Sequence, residues 1–182
     1  YHLNLKPDDI SDTIIFVGDQ DRVEKITKHF DSIEFSTQKR EFKTQTGYYQ
    51  DRRITVLSTG IGPDNIDIVL NELDALVNID LKTRKPKTEL TSLNIIRIGT
   101  SGSLQKDIPV DGFLLSTHGL VVNGMLHFYQ IQRISNPEIE DAFIKHTDWD
   151  KNKARPIVIE NSKYLEKYFE KSSDVTILGH SP

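Results

Sequence analysis

The 182-residue sequence predicts an α/β fold organised around a mixed β-sheet. Short apolar runs close on glycine-bearing turns, apolar stripes at helical spacing follow those turns, and a hairpin pattern near residue 50 breaks the alternation. T-I-I-F-V-G, from Thr13 to Gly18, reads as a buried strand and its turn. Val23, Ile26 and Phe30 then recur at helical spacing, with Asp19 or Asp21 as the expected cap. Arg40 to Gln45 and Arg52 to Ser58 suit two strands joined through T-G-Y-Y-Q-D-R. Beyond G-I-G-P-D-N, Ile66, Val69, Leu70, Leu73, Leu76 and Val77 form one apolar stripe, and Pro63 stands in its first turn. Glu72, within N-E-L of that helix, is expected to be solvated or paired along the helix.

Residues 80–91 are polar and aperiodic, which predicts an exposed, solvated insertion within a single domain over 1–182. Leu93 to Ile98 reads as a buried strand, Phe113 to Ser116 and Leu120 to Val122 as further strand, and Glu138 to His146 as helix. Ile157 to Glu160 is another strand; Tyr164, Leu165, Tyr168 and Phe169 form one face of a helix opening at Asn161 or Ser162; V-T-I-L-G opens a last strand.

A formal charge of −4 and 27% charged residues argue against a broad basic nucleic-acid face, and no aromatic residues interleave with the charges of 80–91. The start, Y-H-L-N-L-K-P-D-D, lacks the pattern of a secretory signal and no apolar run is long enough for a bilayer, so the cytoplasm is the expected compartment. Without cysteine there is no disulfide, thiolate metal site or cysteine nucleophile, and the six histidines show no metal-binding spacing. Ser101 lacks the frame of a nucleophile elbow, and G-I-G-P-D-N lacks the third glycine of a dinucleotide fingerprint.

Three glycine turns stand at strand ends: G-D-Q-D-R (Gly18 to Arg22), S-T-G-I-G (Ser58 to Gly62) and R-I-G-T-S-G (Arg97 to Gly102). Strand ends of an open α/β sheet are where ligand crevices form, and a guanidinium fork suits two oxygens of one oxyanion. An arginine at the end of an apolar run therefore calls for an anion nearby. Spacing alone leaves Gly18 and Gly102 equally explained as turn formers, and favours Arg22 as a surface helix charge paired with Glu24 or Asp19.

H-L-N-L-K-P-D-D, V-G-D-Q-D-R-V, K-R-E-F, V-L-S-T-G-I-G with N-E-L beyond it, I-R-I-G-T-S-G-S-L and N-G-M-L-H-F together resemble the nucleoside phosphorylases of the uridine phosphorylase type. The resemblance implies a three-layer sandwich of the phosphorylase/hydrolase kind, with a central mixed sheet flanked by helices. It also implies phosphorolysis of a nucleoside, uridine or a related pyrimidine nucleoside, to free base and ribose 1-phosphate. By motif, Gly18, Arg22, Arg97 and Thr100 would hold phosphate, and Arg40 would come from a neighbouring subunit. Arg97, Arg22 and Thr100 would carry the chemistry. His2 would reach across the same interface to the ribose 5′-hydroxyl, and Thr100, Ser101 and Gly102 would face the nucleoside. Glu41 matches a residue that some members use with a monovalent cation; no other cofactor is implied.

The implied partners are nucleoside, phosphate and further copies of the chain in a homodimer or hexamer, with no nucleic acid and no membrane. Val17 and Gln20 stand where the family often has proline, a change that bears on loop stiffness more than on anion contacts. The base-reading segment and the pair that grips the ribose hydroxyls are expected beyond Pro182, so the sequence reads as a C-terminally truncated member, inactive by itself and silent on the base. A nucleosidase on the same scaffold and a non-catalytic binding or assembly protein are the alternatives.

Overall fold

The computed structural model describes residues 1–169 and the backbone of 175–178. The chain divides into two compact units, Tyr1–Ser101 and Gly102–Pro182. In the first, β1 (Thr13–Val17), α1 (Asp21–Thr27), β2 (Ser32–Lys39), β3 (Phe42–Tyr49), β4 (Arg52–Ser58) and α2 (Pro63–Asn78) precede the short β5 (Ile79–Asp80) and β6 (Lys85–Pro86) and then β7 (Asn94–Arg97). Five of the strands make one mixed sheet in the order β2-β3-β4-β1-β7. β1 runs parallel to both β4 and β7, whereas β3 is antiparallel to β2 and to β4.

Alternation along β1 decides what covers each face. Ile14 and Phe16 pack with Leu57 of β4 and with Val69, Leu73 and Leu76 of α2, and Leu3, Ile10 and Phe42 close the same cluster. Ile15 and Val17 turn the other way and meet Val23 and Ile26 of α1, with Val56 and Phe30. The sheet thus lies between two helices, the layering expected from sequence.

β2 is a strand that the sequence reading missed. Its residues S-I-E-F-S-T-Q-K are mostly exposed at the sheet edge, so no apolar run announces it. β3 is longer than expected for a related reason. Gly47, taken as part of a turn, lies within β3 opposite a bulge between Ile33 and Phe35, and Ser32 O occupies the space that any Cβ there would need. The true turn is Gln50–Asp51, with both residues at positive φ (47° and 61°), a two-residue hairpin loop made without glycine or asparagine.

Residues 81–91 are exposed, as expected, but they are not a plain loop. β5 and β6 form a small hairpin, and the Asn78 side chain at the end of α2 accepts from Thr91 N (2.7 Å) and donates to Thr91 O (3.1 Å). The buried strand expected over Leu93–Ile98 is half-buried and forms the edge β7, leaving Arg97 exposed.

In the second unit β8 (Phe113–Ser116) pairs in parallel with β11 (Val175–Leu178), and β9 (His118–Val121) pairs antiparallel with β10 (Ile157–Glu160). α3 (Pro137–Thr147) begins on Asn136, whose side chain accepts from Ile139 N, and α4 (Lys163–Phe169) follows β10. Glu140 of α3, 3% exposed, accepts from Val158 N of β10 at 3.0 Å and from Arg155 Nε at 3.1 Å. Gly179, the last residue of the V-T-I-L-G run, lies outside the described residues. Among the described residues no helix is long and apolar enough to cross a membrane.

The face assignment of α2 is testable. Leu73 is 1% exposed and Leu70 41%, although both belong to the apolar stripe. Leu73→Ala is expected to cost about 2–5 kcal/mol in urea unfolding and Leu70→Ala under about 1 kcal/mol.

Candidate functional site

The parallel register of β4, β1 and β7 brings their carboxyl ends to one edge of the sheet, where the three glycine turns follow. Thr59 N donates to Val17 O (2.8 Å) and Ile98 N to Phe16 O (2.9 Å), so the strand ends stay paired up to the point where the turns begin. A cleft of about 670 Å³ opens there, and its walls include Gly18, Arg22, Glu41, Asn65, Arg97 and Thr100.

Two guanidinium groups face this cleft. Arg22 Nη2 lies 3.5 Å from the Thr100 hydroxyl, a long contact that brings the turn after β1 to the turn after β7. Arg97 Nη2 lies 3.9 Å from where a Gly18 Cβ would stand, and Nη1 fills the space of a Cβ on Gly99. Neither arginine forms an ion pair among the described residues. Glu24, one of the two partners that spacing offers Arg22, is taken by Lys43 at 2.6 Å. Asp19 instead accepts from the N–H of Asp21, the first residue of α1, at 2.9 Å, so it satisfies a first-turn donor as expected, with Gln20 between it and the helix. Two cations and a hydroxyl around an open cleft suit an oxyanion.

Gly99 is the residue that sequence reasoning missed. Its signal was present in R-I-G, an arginine two residues before a glycine, but only the folded turn shows the guanidinium lying over that glycine. Gly60 and Gly62, at φ 70° and 102°, give the third turn its shape, and Glu41 and Asn65 crowd against Gly60.

The remaining predicted residues lie elsewhere. Ser101 is exposed at the end of the first unit, and Gly102 is exposed at the start of the second. Arg40 is exposed at the tip of the β2–β3 hairpin, at φ 56°, and is not a wall of the cleft. His2 is also outside it, and its Nδ1 meets Oε1 of Glu72 on α2 at 2.6 Å. Glu72 is therefore neither solvated nor paired along its helix, contrary to the reading from spacing. Its carboxylate also accepts from His2 N (2.8 Å) and Leu3 N (2.9 Å). Burial would raise its pKa, but the Leu3 and His2 N–H groups and the imidazole outweigh burial and bring it down to about 2. Asn4 Nδ2 donates to Thr37 Oγ1 (3.2 Å) and Lys39 Nζ to Tyr1 O (2.6 Å), so the segment carrying His2 lies along the strand that leads to Arg40.

The family model of the phosphorylase superfamily matches residues 12–150. The chain belongs to that superfamily. It is 32% identical over 131 residues to a uridine phosphorylase of Haemophilus influenzae, covering 71% of this chain and 46% of the relative. A purine nucleoside phosphorylase of a Thermoanaerobacter species is 31% identical over 116 residues, covering 63% of this chain and 44% of the relative. Among solved structures, a Trypanosoma brucei nucleoside phosphorylase that shows uridine phosphorylase activity superposes with a TM-score of 0.80 at 27% identity, over 97% of this chain and 64% of its own. The chain spans about half the length of the curated relatives it matches. The fold is that of these phosphorylases.

Within this superfamily the Gln20 departure now has a physical reading. Its φ of −58° is one that proline also adopts. Its side chain adds what proline lacks: Oε1 accepts from Gln38 Nε2 at 2.5 Å and Nε2 donates to Arg40 O at 3.0 Å. The turn after β1 is thereby strapped to the hairpin that carries Arg40.

Two outcomes are expected. Gly99→Ala displaces the Arg97 guanidinium and weakens inorganic phosphate binding by about tenfold in calorimetry. Glu72→Gln costs about 1–3 kcal/mol of unfolding free energy at pH 7. Because the Glu72 pKa is depressed on folding, its contribution is present above 4.5, its ordinary value, and is lost as pH falls toward about 2. The gap between wild type and Glu72→Gln in urea unfolding should therefore narrow by pH 3.

Proposed function

We propose that the protein is a nucleoside phosphorylase that cleaves uridine or a related pyrimidine nucleoside with inorganic phosphate in the cytoplasm. The observation that carries this reading is the convergence of Arg22, Arg97 and Thr100 beside Gly18 on one open cleft, with neither guanidinium in an ion pair among the described residues. The uridine phosphorylases among its relatives support the substrate class.

Phosphate is a modest nucleophile, so the main task is to hold it beneath the anomeric carbon. Arg22, Arg97 and Thr100 do so, with Gly18 leaving room for close approach of the anion. A phosphate oxygen then bonds to C1′ as the C1′–N bond breaks, and its electron pair leaves with the base, which takes a proton from solvent. The bound anion stabilises the positive charge that develops on the sugar. Thr100, Ser101 and Gly102 face the nucleoside. A monovalent cation near Glu41 suits one carboxylate with Asn65 beside it, and no step passes through it.

Arg40 and His2 act in the site of a neighbouring subunit of a homodimer or hexamer. Support comes from their placement: both lie outside the cleft of their own chain, and Lys39 connects the segment of one to the strand of the other.

The direct test is uracil release from uridine by the full-length protein with and without phosphate. Release is expected only with phosphate, and equal rates would favour a nucleosidase. Arg97→Ala should lower kcat/KM by about 10²–10³-fold. Mixing Arg22→Ala with Arg40→Ala and reassembling the subunits should restore about a quarter of wild-type activity, because half the dimers then hold one intact site. No recovery would contradict sharing between subunits.

A further inference from the structure

We propose that Glu72 is the positioning residue for His2: it grips the imidazole at Nδ1 and leaves Nε2 as the atom offered to the 5′-hydroxyl of a nucleoside in the neighbouring subunit. The inference rests on the phosphorylase reading and on His2 acting across an interface. It gives a task to a carboxylate that helix spacing left unexplained.

Glu72 uses both oxygens on the segment that carries His2. Oε1 accepts from His2 N (2.8 Å) and sits 2.6 Å from Nδ1, while Oε2 accepts from Leu3 N (2.9 Å) and lies 3.1 Å from the Tyr1 nitrogen. One carboxylate thus fixes the backbone on either side of the ring and the ring itself. Leu3, 1% exposed, anchors the segment in the core, so the hold does not depend on a loose surface strand.

The chemistry of the contact sets the tautomer. An ionised carboxylate only accepts, so Nδ1 must carry the hydrogen, and in the neutral ring Nε2 is then an unprotonated acceptor. Among the described residues Nε2 has no hydrogen-bond partner, and the His2 side chain keeps 31% of its surface open. The Tyr1 ring stands edge-on to the imidazole at 5.1 Å between centroids, and Lys39 Nζ lies over that tyrosine at 4.1 Å, which limits rotation of the ring on its other side. A carboxylate oriented in this way does for histidine what a carboxylate partner does for metal-bound histidine: it fixes the tautomer and the ring plane.

A purely structural clamp and a positioning residue differ in which substrate they affect. The test compares uridine with 5′-deoxyuridine in the full-length enzyme. Glu72→Gln, Glu72→Ala and His2→Ala are each expected to lower kcat/KM for uridine about tenfold and to leave 5′-deoxyuridine within about twofold. The double variant Glu72→Gln/His2→Ala should lose no more than His2→Ala alone, because the two residues act as one unit. Equal losses on both substrates, or full additivity, overturn the proposal. If uridine is not cleaved by wild type, the phosphorylase reading falls, and the hold of Glu72 is decided by nitrogen-15 NMR of His2. The same measurement decides it if the Glu72 variants do not fold. A neutral ring protonated at Nδ1 in wild type is expected, and one protonated at Nε2 overturns the assignment.

Discussion

The parallel register of β4, β1 and β7 is the constraint on which the rest of the first unit depends. Phe16 pairs with Leu57 on one side and with Arg97 on the other, so the three strands end together. Each end then releases a turn at the same edge, and the residues of one cleft arrive from positions near 18, 60 and 100 without any long excursion of the chain. Buried apolar faces hold that register. A slip of one residue along β1 would set Ile15 and Val17 against α2 and Ile14 and Phe16 against α1, forcing side chains of different volume, Phe16 above all, into packing shaped for the others.

A second arrangement depends on the first, and its His2, Glu72 and Arg40 are not walls of the cleft. The segment carrying His2 is tied to α2 by Glu72 and to β2 by Thr37 and Lys39, and Lys39 leads directly into the hairpin tip that carries Arg40. Arg40 is held at positive φ, a conformation that costs an arginine about 1–2 kcal/mol. Backbone strain of that kind persists where surrounding pairing over-determines it, as the Lys39–Phe42 pair does here. The Gln20 side chain connects this outer group to the turn after β1 through Gln38 and Arg40 O. In the reading proposed above, one chain then presents its own anion site and the groups it lends to its neighbour as parts of a single hydrogen-bonded assembly.

The elements with strong periodicity were legible from sequence. β1, β4, α2 and β10 stand close to where the apolar pattern places them, because each buries enough apolar surface for the pattern to be visible. β2 was not legible, since an exposed edge strand needs no apolar period, and the Gln50–Asp51 turn was not, since its left-handed residues are neither glycine nor asparagine. The expected aspartate at the start of α1 was legible in part: Asp19 accepts from Asp21 N in the first turn, while Gln20, already helical in its backbone, stands next to the helix.

Sequence by itself determined the layered α/β order, the three glycine turns at strand ends and the arginines beside them, because these are properties of local pattern and residue chemistry. It also determined the family resemblance, which six motifs in register carry. Tertiary structure alone decided which charges meet. It gave Glu24 to Lys43 and left Arg22 and Arg97 to the cleft; it placed Gly99 under a guanidinium; and it moved Glu72 from a solvated helix face to the backbone of Leu3 and the ring of His2. Partners separated by about seventy residues leave no periodic trace in sequence, since their meeting depends on how the helix seats on the sheet rather than on any spacing along the chain.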